Sequence, residues 1–347
     1  MQGALLFISL AVLLISTMIF SLMQGAVALT PLQVLAILLH PFHLELSEPF
    51  SALHATVIWH IRLPRVILGI LVGGGLALCG ATLQGLFRNP LADPALLGVS
   101  NGAALAAVAV IVLLPTGIAS LESSWMPYSI PLAAFAGGLI TTALIYGLAR
   151  SMGDSMMLAT LLLAGLALNA FSGALMGLLT YLADDQQLRL LIFWSFGSLG
   201  RANWTQVGIA SIIIGSVMII LPRYADSLNA LLLGEAEAYH LGFAIERIKL
   251  ILLVFIALTV GTSVAVAGVI GFVGLVVPHL LRLLIGPDHR RLLPATILLG
   301  ASLLLAADGL ARRVLAPAEL PIGIVTALLG APFFLGLLWQ QRRHYGF

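Results

Sequence analysis

Residues 64–87 read PRVILGILVGGGLALCGATLQGLF, and between Arg65 and Arg88 no charged side chain interrupts the run. Crossing the hydrocarbon core of a bilayer takes ~20 apolar residues as an α-helix, so this stretch is long enough to span. A strand of a membrane barrel would alternate apolar and polar residues. This run is continuous, and helix is the assignment that fits. Its small residues recur at Gly69, Gly73, Gly75 and Gly80, and a similar series stands at Gly268, Gly271 and Gly274. In lipid such spacing lets helix backbones approach closely. It points to a packed bundle and says nothing yet about activity.

The rest of the chain has the same character. Of 347 residues 61% are hydrophobic and only 9% charged, with a mean hydropathy of +1.11, against about 25% charged in a soluble domain. Too little charge is present to cover a water-facing surface. Apolar runs predict an all-α polytopic membrane protein of about ten spans, near 4–24, 64–87, 94–115, 130–150, 157–180, 204–221, 249–267, 270–285, 294–311 and 321–340. Residues 181–203 mix a polar Asp184–Gln187 with an apolar Leu190–Phe196 and suit an interfacial segment. No polar stretch is long enough for a separate soluble domain, so residues 1–347 form one transmembrane unit. The first run has no basic residue before it, as a secretory signal would, and is expected to be a retained span. Cys79 lies in an apolar run as a small packing residue. A net charge of +2 without basic–aromatic tracts argues against nucleic acid as a partner.

Ten spans put both termini on one side, and the basic residues set which side. Arg88, Arg150, Arg223, Arg247, Lys249, Arg282, Arg290, Arg291, Arg342 and Arg343 fall with the termini. Arg62, Arg65, Arg189, Arg201, Arg312 and Arg313 fall opposite. The excess places the termini in the cytoplasm. Four exceptions form two pairs at span edges, Arg62/Arg65 and Arg312/Arg313.

Chemistry-bearing motifs are few. A Walker A loop needs a glycine-rich turn before a lysine that reaches the terminal phosphates; the sole lysine, Lys249, has none. Any ATP-driven activity therefore needs a partner. Gly98-Val99-Ser100-Asn101-Gly102 matches a nucleophile elbow in letters, but that motif works at a strand-to-helix turn, and here it lies among helical segments. Asp308 and Arg312 stand four apart and can pair on one helix face. A proton-coupled secondary transporter would show mid-span carboxylates, and none but Asp308 comes near. His279 suits helix packing. His40, His43, His54 and His60, half of the eight histidines, gather in the first external loop. Imidazole is a common haem-iron ligand, yet their spacing is no metal motif, and neither a resident metal nor a cofactor is expected.

The run from Gly80 through Arg88-Asn89-Pro90-Leu91-Ala92-Asp93-Pro94 to Leu97-Gly98-Val99-Ser100-Asn101-Gly102-Ala103 resembles the signature of the FecCD family. Those proteins are permeases of type II ABC importers for ferric siderophores, haem and cobalamin. Arg62-Leu63-Pro64-Arg65, Leu233-Gly234-Glu235 with Leu241-Gly242, Gly271 through His279, and Glu319 through Phe333 fit in order. The resemblance covers about residues 60–340. It implies ten spans in the bacterial inner membrane, a homodimer of permeases, two cytoplasmic ATP-binding subunits and a periplasmic binding protein. ATP hydrolysis would lie on the separate subunits. It implies that 222–247 is the cytoplasmic coupling segment, with Gly234, Glu235, Glu237, Leu241 and Gly242 docking the ATPase. Arg62, Arg65 and Arg312 would meet acidic residues of the binding protein. The inner gate maps to Leu158 and Ala159. These are apolar where the cobalamin importer carries hydroxyls, and with the histidine cluster this favours haem over siderophore or cobalamin as cargo.

Overall fold

Hydrocarbon offers no water to the backbone, so each apolar run closes its hydrogen bonds within itself as a helix. The computed structural model describes residues 2–25, 27–44, 46, 48–114, 128–151, 157–315 and 318–344, and every regular element among them is helical. Ten helices match the ten apolar runs in order. They are α1 (Gln2–Met23), α2 (Leu63–Leu86), α3 (Val99–Leu113), α4 (Ser129–Ser151), α5 (Met157–Leu182), α6 (Trp204–Leu233), α7 (Ile245–Ala267), α8 (Val273–Ile285), α9 (His289–Val314) and α10 (Ile322–His344). Seven contain stretches long and apolar enough to cross a bilayer, while α3, α8 and the apolar part of α10 are shorter. Asp185–Phe196 is a separate helix, capped by the Asp184 side chain on the Gln187 amide.

Two spans run further than their hydropathy indicates. Helix continues upstream of α2 from Ala52, giving 35 residues, with a π-helical turn over Val57–Arg62. Pro64 follows that π-turn, whose irregular hydrogen bonding takes up the bond that proline cannot donate. Likewise α6 continues past Pro222 through a tight turn at Leu221–Tyr224 into the Ala225–Leu233 helix. The expected coupling segment thus begins as a direct extension of a span.

Helix α2 is the centre of the bundle, with 83% of its apolar window buried. Glycine permits this. A β-carbon on Gly73 would lie 2.5 Å from the Gly300 carbonyl oxygen of α9, and one on Gly300 equally close to that of Gly73. A β-carbon on Gly80 would overlap the Gly274 carbonyl of α8. These are backbone-to-backbone contacts with no flexible side chain to yield. Cys79 is fully buried among them. Helix α5 is the opposite case: only 11% of its window is covered, and Leu163, Leu166, Phe171 and Leu178 are exposed.

One end of the bundle is tied by backbone hydrogen bonds. The Ile322 N–H donates to the Gly197 carbonyl (3.0 Å), Val269 to Trp194 (3.3 Å), and Ser198 to Ala267 (2.7 Å). Gly197 (φ 67°) and Gly268 (φ 72°) supply left-handed turns there, which side-chain-bearing residues adopt at a cost. Gly3 sits beside the Arg291 guanidinium at the opposite end. Since α10 begins at the Gly197 end, the start of α1 and the end of α10 lie at the end that carries Ala225–His240.

Candidate functional site

Two polar clusters occupy the ends of the bundle, and a cavity lies near the first. At the end away from the termini, Arg65 on α2 meets two carboxylates. Its Nε (3.1 Å) and Nη2 (2.8 Å) donate to Asp308 on α9, and its Nη1 (3.1 Å) and Nη2 (3.0 Å) donate to Glu319. Asp308 is fully buried and also takes Arg312 at 3.1 Å, as their spacing had suggested. Arg312 reaches on to the Gln24 carbonyl (2.9 Å) and the Ser21 hydroxyl (2.7 Å). Arg62 donates to the carbonyls of Leu22 (2.7 Å), Met23 (3.0 Å) and Val27.

The three arginines expected to face a partner therefore turn inward. Arg62 is 4% exposed and Arg65 7%. The physical reason is plain. The last carbonyls of α1 lack intrahelical donors, and a guanidinium near hydrocarbon needs oxygens around it; each answers the other's deficit. Arg313 remains exposed, its guanidinium 5.9 Å from the centre of the Phe20 ring. Glu319, which the sequence placed only inside a motif, is the half-exposed edge of the cluster.

Beside Glu319 opens a cavity of about 600 Å³ between α4, α7 and the segment 190–206. Its walls include Pro131, Trp194 and Val266, with Arg201, Asn203 and Gln206 as polar points. A neighbouring space of about 310 Å³ shares Pro131, Asn203 and Gln206 and extends along Phe135 and Thr262.

At the end with the termini, Gly234 (φ 135°) breaks Ala225–Leu233 from Glu235–His240, and Gly242 (φ 89°) turns the chain into α7. Glu235, Glu237, Leu241 and Gly242 are exposed and Gly234 is buried. Lys249 on α7 holds the segment: its Nζ lies 2.7 Å from Glu235 and 3.1 Å from Glu246. Sequence reasoning used this lysine only to exclude ATP hydrolysis. The other arm is held by α9. Asn229 donates to Asp288 (2.7 Å), and Asp226 pairs with Arg290 at 2.5 Å. Hydrogen bonds from Asn229 and the Arg290 amide keep the Asp288 carboxyl below its ordinary range. The same carboxylate caps the start of α9.

Other expectations resolve simply. Leu158 and Ala159 fall in the first turn of α5, and their side chains lie outside the described residues. His40 packs edge-on against Phe50 (5.5 Å) and His54 closes a capping box with Ser51. Among the described residues no three histidine, cysteine or acidic side chains are grouped as metal ligands. Gly98 (φ 72°) joins a short turn, Pro94–Leu97, to α3. The sequence around Ser100 is helix, not a strand-to-helix elbow.

A bundle of apolar helices, centred on glycine-packed α2 and polar at both ends, defines a polytopic membrane protein. The FecCD transport family matches residues 13–340. This chain belongs to that family. It is 51% identical over 288 residues to the hemin transport system permease protein of Yersinia pestis, covering 82% of this chain and 84% of that one. It is 43% identical over 305 residues to the vitamin B12 import system permease protein of Vibrio cholerae, covering 88% and 89%. Its fold superimposes on an inward-facing structure described as a metal-chelate type ABC transporter. The TM-score is 0.82 at 33% identity, covering 97% of this chain and 99% of that one.

Proposed function

We propose that this chain is the membrane-spanning permease subunit of an ABC importer and that it carries haem across the bacterial inner membrane. The observation that carries the cargo is the 51% identity to the hemin permease. The cavity supports it: its walls are largely apolar and include Trp194, and Arg201 offers a cation to the anionic edge of a flat chelate, with Glu319 also in the lining. The 43% identity to a vitamin B12 permease makes cobalamin the second reading.

The transporter is built from two copies of this chain, two ATP-binding subunits on the cytoplasmic side and a periplasmic binding protein. Both termini face the cytoplasm, in keeping with the ten-to-six excess of basic residues. Residues 222–247 dock the ATPase through Gly234, Glu235, Glu237, Leu241 and Gly242. Cargo passes between the copies along the thinly covered α5, past an inner constriction at Leu158 and Ala159. The binding protein docks at the Arg62/Arg65/Arg312 end. There the buried arginines set the register of α1, α2 and α9, and the half-exposed Glu319 edge of the Arg65 pair is where a partner carboxylate exchanges in.

The test is ATP-dependent uptake into proteoliposomes holding the assembled transporter, with hemin and cyanocobalamin offered in separate runs. Hemin uptake is expected, with none from the permease alone. Uptake of cyanocobalamin without hemin would replace the cargo assignment.

A further inference from the structure

His289 is fully buried at the first turn of α9. Its backbone N–H and its Nδ1 both lie 2.9 Å from the Asn229 side-chain oxygen. Because a carbonyl oxygen only accepts, Nδ1 carries the proton. Nε2 is then the bare nitrogen, and it has no hydrogen-bond partner among the described residues. It points at the backbone of α2, where a β-carbon on Gly85 would overlap it. The ring is thus clasped on one side by the Ala225–Leu233 helix and pressed on the other against the central span.

The surroundings make this contact stiff. Asn229 is itself held by Asp288. At the adjacent position of α2, Arg282 of α8 donates to Gln84 (2.9 Å), so the same end of α2 is gripped from a second helix. Higher up, α2 and α9 touch backbone to backbone at Gly73 and Gly300. A push on Asn229 therefore meets α2 through a fully buried imidazole, beside the direct packing of Ala225–Leu233 on α2 and α9.

We infer that His289 is the positioning residue that passes motion of the coupling segment to α2, a wedge between Asn229 and Gly85. This rests on the proposed role of residues 222–247 in docking the ATPase. Packed elements with two discrete arrangements are what carry coupling between distant sites. His289 touches no cargo and no nucleotide in this scheme. Its imidazole serves through shape and one hydrogen bond, and the absence of a β-carbon at residue 85 is the matching socket.

The experiment uses the assembled transporter in proteoliposomes and reads hemin imported per ATP hydrolysed. His289→Ala is expected to lower that ratio about five-fold or more, the lower bound of ordinary coupling energies, while ATP hydrolysis persists. Gly85→Ala leaves the histidine present but drives a methyl into its socket, and should lower the ratio similarly. The double variant should be no worse than either single one, since contacting residues do not act additively. Should His289→Ala fail to assemble, Asn229→Ala removes the clasp from a less buried position and carries the same expectation.

A second readout is independent of cargo. With Cys79 replaced by alanine, spin labels at Arg88→Cys and Tyr239→Cys report the spacing between the end of α2 and the coupling segment. That spacing should stay fixed between nucleotide-free and vanadate-trapped states, and should split into two in His289→Ala. A ratio and a spacing both unchanged by His289→Ala, with only a lower melting temperature, would reduce His289 to a packing residue. Lys249→Met separates the two levels. If it uncouples and His289→Ala does not, the wedge alone is wrong; if neither uncouples, the coupling role of 222–247 falls.

Discussion

At Arg65 all three guanidinium nitrogens are engaged by Asp308 and Glu319. Bidentate pairing of this kind suits the planar fork of arginine and would not be reproduced by lysine. Removing one partner of a buried pair costs about 3–5 kcal/mol, because it strands the other charge. Asp308 would keep only Arg312. Arg65→Met is therefore expected to lower stability by up to about that much in detergent, read by denaturant unfolding, and Asp308→Asn, which strands both Arg65 and Arg312, should cost at least as much. Arg313, exposed at the same helix end, is the control, and Arg313→Met should stay within about 0.5 kcal/mol. Equal losses in Arg65→Met and Arg313→Met would mean that the cluster contributes no more than a surface charge. The anomaly of these arginines against the charge bias was legible in the sequence. So was the Asp308–Arg312 pair, from its four-residue spacing; the partners of Arg65 and Arg62 were not, since Arg65 and Glu319 stand 254 positions apart and the acceptors for Arg62 are main-chain carbonyls, which no residue pattern announces.

Between helices, glycine position outweighs glycine count. Gly80 meets the carbonyl of Gly274, a backbone that cannot step aside, whereas around Gly208 on α6 nothing lies within 4 Å of an added β-carbon. Gly80→Ala should therefore destabilise by about 1–3 kcal/mol or more through overpacking. Gly208→Ala should be neutral or add up to about 1 kcal/mol from better helix propensity. Thermal unfolding of the two side by side checks the contrast, and similar melting shifts would remove the claim of a close α2–α8 crossing. Runs of apolar residues located all ten helices, because hydropathy is set by local composition. The extensions from Ala52 and to Leu233 escaped it, since each carries polar residues and a proline, Pro64 or Pro222, marks its junction with the apolar run. In both places a π or 3₁₀ turn absorbs the irregularity.

As a whole molecule the chain is unevenly covered, with α2 enclosed and α5 bare along most of its window. A second copy on the α5 side would account for that asymmetry. With Cys79 replaced by alanine, Leu158→Cys or Ala159→Cys is expected to crosslink between copies in one nucleotide state and not in the other. Crosslinking that ignores the nucleotide, or none, would remove α5 from the dimer axis. The Arg65–Asp308 pair has a further consequence for biogenesis. Its members are separated by 243 positions, and ribosomes add ~5–20 residues per second, so Asp308 emerges roughly 10–50 s after Arg65. Throughout that interval α2 carries a charge whose counter-ion has not been translated. The second span must wait at the headgroups or the insertion machinery, and the bundle closes around it only when the ninth arrives.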